Sequence, residues 1–230
     1  MLKTVLKNGL KKAFRLTPYD IVKRRNEQGD FDAIDHNSLE AVNSTYSDKK
    51  FVKAYVNKAR EAFYSDTKEL ILNAVDPSAC RTVGDFGCGV GGFLERLRPE
   101  FEHTEMFGYD FSDVTLNEAR SAYPRPTYEQ YDIYTPPPRR HDLTICSQTL
   151  EHLLEPELAL KHLIDATEAN GLLLLTVPNG RTDTFKGHLQ FWSPESWSSW
   201  IGRNVKCDHE TMVMERGTMG STNLAALIRP

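Results

Sequence analysis

Val83-Gly84-Asp85-Phe86-Gly87-Cys88-Gly89-Val90-Gly91-Gly92 is the stretch from which the fold is read. An apolar run ends in a cluster of glycines, and helical spacing takes over behind it. Glycines at such a junction let the backbone turn sharply and let a ligand approach closely. Outward from this loop, strand-like apolar runs recur at 81–86, 105–110, 127–131, 142–147 and 171–177. Helical spacing separates them near 90–98, 112–121, 156–169 and 194–202. Alternation of this kind predicts an α/β fold, a parallel sheet with helices on both faces. Ligands of open parallel sheets bind at the carboxyl ends of the strands, so the glycine loop lies where a ligand would sit. The tail differs: 204–215 and 219–229 read as two strands joined at Gly217, an antiparallel hairpin that finishes the sheet.

Upstream of residue 81 the pattern is helical. Leu2, Val5, Leu6, Leu10, Ala13 and Phe14 share one helix face with lysines opposite, and Thr17-Pro18 breaks that helix. Residues 26–47 are polar and read as a linker or lid. A helix is expected over about 47–64, and Ser65-Asp66 is placed to cap another one ending at Asp76-Pro77. The expected organisation is an N-terminal extension over 1–64 and a ligand-binding domain over 65–230.

Composition removes several classes. The chain has 230 residues, 40% hydrophobic and 26% charged, which is ordinary for a globular domain and large enough to need no disulfide or metal staple. No apolar run approaches the ~20 residues needed to cross a bilayer. Residues 1–25 carry eight Lys or Arg and one acid, against a net charge of -4 for the whole chain, so the body is acidic. An acidic body is a poor general nucleic-acid binder. The basic start suits either docking on the domain, the simpler reading, or contact with an anionic membrane surface or partner protein. Four widely spaced cysteines, with no CxxC, fit reduced thiols and a cytoplasmic setting, with peripheral contact at the inner membrane surface if the basic helix binds lipid.

Gly87, Gly89 and Gly92 formally match GxGxxG, the dinucleotide pattern, but a pyrophosphate gains nothing from an acid just before the turn. Asp85 stands there, and a cationic ligand suits it. Asp85-Phe86-Gly87-Cys88-Gly89-Val90-Gly91 resembles the first motif of class I S-adenosylmethionine-dependent methyltransferases. Four further stretches resemble the same family in order: Gly108-Tyr109-Asp110-Phe111-Ser112, Gln130-Tyr131-Asp132-Ile133, Asp142 to Ser147 with Leu150-Glu151-His152-Leu153, and Gly171 to Asn179. The resemblance covers roughly 65–230 and implies a Rossmann-like, seven-stranded, mostly parallel sheet. It implies S-adenosyl-L-methionine as cofactor, with Asp85, Gly87 and Gly89 at the methionine end, Asp110 on the ribose, and Asp132 with Ile133 on the adenine. Phe86, Phe111 and Ser147, from the same motifs, complete the cofactor set. Asp110 alone does not discriminate, since nicotinamide enzymes also carry an acid about 20 residues past the loop.

The catalytic candidates are His152, after the fourth strand, and His188, which opens His188-Leu189-Gln190-Phe191-Trp192-Ser193-Pro194-Glu195-Ser196-Trp197. The latter stretch is similar to one in small-molecule members of the family. Either imidazole suits the loss of a hydroxyl proton during methyl transfer; either also suits a purely structural role, capping a turn or orienting the loop. Glu151 is a further candidate, or an exposed or cofactor-contacting carboxylate. Trp192, Trp197 and Trp200 read as core. His36, His103, His141, His162 and His209 form no metal-ligand spacing, and no metal is expected. There is no Asn-Pro-Pro-aromatic sequence after the fourth strand, which turns the reading from amino-group acceptors toward an oxygen on a small molecule. The N-terminal extension loosely resembles that of methyltransferases encoded with surface-polysaccharide genes. A hydroxyl of a sugar or lipid-linked glycan is therefore the first acceptor, with a quinone or phenol next. A non-catalytic binding protein and a macromolecule methyltransferase are the competing classes.

Overall fold

The computed structural model describes residues 38–47, 58–214 and 222–230. The basic helix expected over 2–14 and residues 48–57 of the helix expected over 47–64 lie outside the described residues. Seven strands form one sheet: β1 Thr82–Phe86, β2 Glu105–Asp110, β3 Thr127–Gln130, β4 His141–Ser147, β5 Thr167–Pro178, β6 Asp208–Met214 and β7 Asn223–Arg229. Their order is β3-β2-β1-β4-β5-β7-β6. Strands β1 to β5 run parallel, and β7 enters antiparallel between β5 and β6. The chain therefore has the Rossmann-like fold expected, including the antiparallel finish.

Among the described residues six α-helices accompany the sheet: α1 Leu39–Tyr46, α2 Lys58–Ala74, α3 Gly92–Leu97, α4 Asp113–Ala122, α5 Pro156–Asp165 and α6 Pro194–Asn204. Strand alternation divides the core in two. Leu173 and Leu175 of β5 join Phe86, Tyr109, Leu160, Leu163 and Trp197 on the α5–α6 face. Leu172 and Leu174 join Ile71, Phe93, Leu97 and Leu116 on the face of α2, α3 and α4. The tryptophans belong to the core: Trp197 and Trp200 stack at 5.5 Å, and Trp197 Nε1 donates to the Ala225 carbonyl at 3.0 Å. Beneath the glycine loop, the imidazole of His141 is fully buried and meets Tyr109 Oη at 3.1 Å. Burial and the Arg139 charge hold it down at about 4. A side chain at Gly84 would strike that ring at 2.4 Å, which is why this strand carries a glycine.

Three local expectations are corrected. No helix starts at Ser65-Asp66: α2 runs through from Lys58, across the boundary expected at 64/65, because Ser65 Oγ donates back to the Glu61 carbonyl at 3.0 Å instead of capping forward. The polar stretch 26–47 is not all linker, since α1 occupies its end, with Ser38 Oγ accepting from the Ala41 N–H. The helix expected over 156–169 stops at Asp165, because the chain bends at Ala166 and Thr167 opens β5. Thr167 Oγ1 then donates to the Leu163 carbonyl at 2.8 Å and satisfies one of the last helical carbonyls.

Candidate functional site

The loop between β1 and α3 turns on three left-handed glycines, Gly87 (φ 78°), Gly89 (φ 55°) and Gly91 (φ 77°). Two are also forced by packing: a Cβ would come within 2.2 Å of Thr149 Oγ1 at Gly87 and 2.4 Å of Tyr128 Oη at Gly91. At Gly89 a Cβ would meet nothing within 4 Å, so this glycine fronts open space. The neighbouring strand ties the loop down. The N–H groups of Gly87 and Cys88 donate to the Tyr109 carbonyl at 2.8 and 3.0 Å. Asp110 Oδ2 accepts from the Gly89 N–H at 2.9 Å, and its Oδ1 accepts from the Ser112 N–H at 3.0 Å.

Two acids stand beside this open space, Asp85 buried and Asp110 half-buried at the end of its strand. Burial, reinforced by the negative charge of Asp110, pushes the Asp85 carboxyl up to about 7. Burial also raises Asp110, against the hydrogen bonds it accepts from backbone. Ser112, which caps α4 by accepting from the Thr115 N–H at 3.1 Å, donates to Asn43 Oδ1 of α1 at 2.6 Å. Asn43 Nδ2 reaches Asp113 Oδ1 at 3.0 Å. Asn43 thus braces the turn after β2, and its only sequence signal was the Ser38 cap that starts its helix.

The other expected cofactor residues fall along the same edge. Phe86 is buried and stacks on Tyr109 at 4.5 Å, so its ring supports the loop from below. The Phe111 carbonyl accepts from Gln130 Nε2 at 3.0 Å. Asp132 Oδ1 accepts from the Tyr134 N–H at 3.0 Å in a tight turn after β3, and the Ile133 carbonyl accepts from His162 Nδ1 at 3.0 Å. Ser147, at the end of β4, pairs its hydroxyl with Thr176 Oγ1 at 2.8 Å.

A second group gathers beyond β4 and β5. Gln148 takes a left-handed turn (φ 55°), a conformation that costs a non-glycine residue energy and clusters at functional sites. This turn lays Thr149 against Gly87 and leads into a short 3-10 turn, Leu150–His152. The loop from β5 folds back on it: the N–H groups of Leu189 and Gln190 both donate to the Glu151 carbonyl, at 2.8 and 3.0 Å. His152 and His188, far apart in sequence, become ring neighbours at 4.7 Å. Glu151 is 1% exposed, so it is neither surface nor solvent-facing, and its Oε1 lies 4.0 Å from His152 Nε2 and 3.9 Å from His188 Nε2. Asp183 Oδ2 accepts from His188 Nδ1 at 2.5 Å. Asp183 was missed in the sequence because nothing local marks it. Leu154, Leu189 and Phe191 are exposed on the same two segments and give this end an apolar rim. Downstream, Ser193 caps α6 through a reciprocal pair with Ser196, which fixes where the loop must end.

This arrangement has known counterparts. A family model described as a methyltransferase domain matches residues 56–209. Trans-aconitate 2-methyltransferase of Methylobacterium radiotolerans is 29% identical over 110 residues, which is 47% of this chain and 42% of that protein. The chain thus spans less than half the length of the curated relatives it matches. In structure, the DhpI–SAH complex superposes with a TM-score of 0.65 at 16% identity, covering 86% of this chain and 97% of the other. Magnesium protoporphyrin IX methyltransferase from Synechocystis PCC 6803, solved with bound SAM, gives 0.63 at 17% identity, covering 86% and 99%. At such identities the structural likeness is one of fold.

Proposed function

The chain belongs to the class I S-adenosylmethionine-dependent methyltransferases, and from that premise we propose that it moves a methyl group from S-adenosylmethionine to a hydroxyl of a small molecule. The observation that carries the cofactor assignment is the pair of acids, buried Asp85 and half-buried Asp110, beside the open space at Gly89. Two acids there repel a pyrophosphate and attract a ligand carrying an ammonium and a sulfonium. In this reading Asp85 faces the methionine ammonium, and the backbone of Phe86, Gly87 and Gly89 encloses the methionine end. Asp110, with Phe111 beside it, takes the ribose hydroxyls. Asp132 and the Ile133 amide hold adenine, and Ser147 closes the edge toward the acceptor.

Methyl transfer from a sulfonium is an in-line displacement, and positioning supplies much of its rate. His152 and His188 stand on the acceptor side, next to the loop through the Thr149–Gly87 contact, and assist the departure of the acceptor proton. The apolar rim of Leu154, Leu189 and Phe191 favours an acceptor whose hydroxyl sits beside apolar surface. A lipid-linked glycan meets that description and also suits the basic residues 1–25; a quinone or phenol is the second choice. Macromolecular acceptors gain nothing from this rim.

The test is direct. Full-length protein is titrated with S-adenosylhomocysteine and, separately, with NAD, then offered labelled methyl donor with lipid-linked sugars, phenols and trans-aconitate. Homocysteine-compound binding in the micromolar range, no NAD binding, and an alkali-stable methyl ether on a hydroxyl acceptor are expected. An alkali-labile methyl ester on trans-aconitate would replace the hydroxyl reading with a carboxylate one. Binding of the cofactor product with no methylation of any class would favour a non-catalytic role.

A further inference from the structure

We propose that Glu151, His152 and His188 form a binding site for a divalent transition-metal cation, to which the acceptor hydroxyl coordinates during methyl transfer. The three ligand atoms lie within 4.8 Å of one another. At 3.9 and 4.0 Å, the contacts of Glu151 Oε1 with the two Nε2 atoms are too long for hydrogen bonds. Tetrahedral ligands of a cation with bonds of about 2.0–2.2 Å lie about 3.3–3.6 Å apart, so these two contacts close by about half an ångström and the widest pair of the trio by up to about 1.5 Å.

Proton placement supports the same assignment. His152 Nδ1 faces the Gly187 carbonyl at 3.3 Å, and a carbonyl only accepts. His188 Nδ1 faces the Asp183 carboxylate. In the tautomer that keeps its proton on Nδ1, each ring turns its Nε2 lone pair toward Glu151. A carboxylate or carbonyl behind each imidazole is the usual support of metal-ligating histidines. The support is itself held: Asp183 Oδ1 accepts from the Phe185 N–H at 3.0 Å, and Gln190 Nε2 donates to the Leu153 carbonyl at 3.1 Å, clamping one loop to the other. Two imidazoles and one carboxylate suit cations such as Zn²⁺, Fe²⁺, Co²⁺ or Mn²⁺ better than Ca²⁺. Three protein ligands leave positions open for an acceptor, as at catalytic sites.

The chemistry rests on the methyl-transfer reading above. Coordination lowers the pKa of the acceptor hydroxyl, and its proton passes to water. The oxygen then bonds the methyl carbon while the carbon–sulfur bond breaks, and that electron pair returns to sulfur as the neutral thioether. No oxidant or reductant is needed. With the cation in place, His152 and His188 act as ligands, and the cation does the work otherwise asked of a base.

The experiment uses untagged full-length protein stripped with chelator and titrated with Co²⁺, read by visible absorption and calorimetry, with S-adenosylhomocysteine titrated in parallel. One Co²⁺ per chain with visible ligand-field bands is expected. His152→Asn and His188→Asn should each weaken it at least about 100-fold, Asp183→Asn about 10- to 100-fold, and His209→Asn not at all. Unchanged S-adenosylhomocysteine affinity in these variants certifies their fold and covers the case in which Glu151→Gln fails to fold. Co²⁺ bound as tightly by either histidine variant as by the native protein would overturn the site. Loss of S-adenosylhomocysteine binding by the native protein would instead overturn the methyl-transfer reading, and Co²⁺ binding that depends on both histidines would still uphold the cation site.

Discussion

The two ends of the sheet's carboxyl edge are built differently. At β1 and β2 the site is made of consecutive residues and backbone: Gly87 to Gly89 are tied to Tyr109 and Asp110 by hydrogen bonds across one strand pair. At β4 and β5 it is made of side chains from two loops, and Asp183, His188, Glu151 and His152 meet where Leu189 and Gln190 dock on the Glu151 carbonyl. The first end is rigid and local; the second depends on a long return. The difference suits a constant cofactor at one end and an acceptor that varies among relatives at the other, since loops carry variation on a fixed scaffold.

The sharpest way to break this comparison is to cut the local end. Asp110→Ala removes the acceptor of two loop N–H groups together with the proposed ribose ligand. Titration calorimetry should show S-adenosylhomocysteine affinity falling more than about 100-fold, as expected for loss of several charge-assisted hydrogen bonds. An affinity within a few-fold of native would mean that backbone alone sets the cradle. The reciprocal cut is Asp183→Asn. Turnover should fall about 10- to 100-fold, with cofactor affinity unchanged, because Asp183 acts only by orienting His188. A matching fall in cofactor affinity would show that the two ends are one unit.

Asp85→Asn sharpens the comparison through stability. Asp85 has a folded pKa raised to about 7, so the folded state holds its proton more tightly than the unfolded chain. That favours folding below pH 4 and is lost as pH rises through 7. At pH 8 the native protein therefore carries a buried charge costing on the order of 2–4 kcal/mol. Removing it should raise the melting temperature while S-adenosylhomocysteine affinity falls about 10-fold, a cost in stability retained for binding. His141 runs the other way: held at about 4, it is neutral in the fold, and stability drops as pH falls from 6.5 toward 4. In native protein the two slopes oppose each other across pH 4 to 7. In Asp85→Asn, denaturant melts should show stability rising more steeply with pH between 4 and 7 than in the native protein. An unchanged slope would remove the account of Asp85. The smallest effect is Ser193→Ala. Loss of the α6 cap should cost about 1 kcal/mol in a urea melt and leave cofactor affinity unchanged.

What was legible in the sequence follows the same division. The alternation that places β1 to β5, the glycine turn, and the acids at the ends of β1 and β2 are local signals, because each depends on neighbours within a strand and its following turn. The antiparallel finish was legible as two strand-like runs, while the joint expected at Gly217 lies outside the described residues; its insertion beside β5 was not legible, since pairing partners leave no mark in a single strand. Glu151 could not be read as buried, because its burial comes from the loop that folds over it. Asp183 has no motif at all. The continuity of α2 through Ser65 was hidden because a serine that caps and a serine that bonds back to its own helix look alike in sequence.

The place of β7 has a consequence for the order in which this chain is assembled. Strands are made in sequence, yet β7 pairs with β5 along Leu173 to Pro178 and with β6 along all seven of its residues. While the chain emerges from the ribosome, β6 has no neighbour to join and β5 presents an open apolar edge. Both are completed only when residues 223–229 arrive and slide between them. Until then the nascent protein offers the kind of unpaired strand that recruits other chains. The sheet is thus most exposed to other chains in the interval before residues 223–229 are in place.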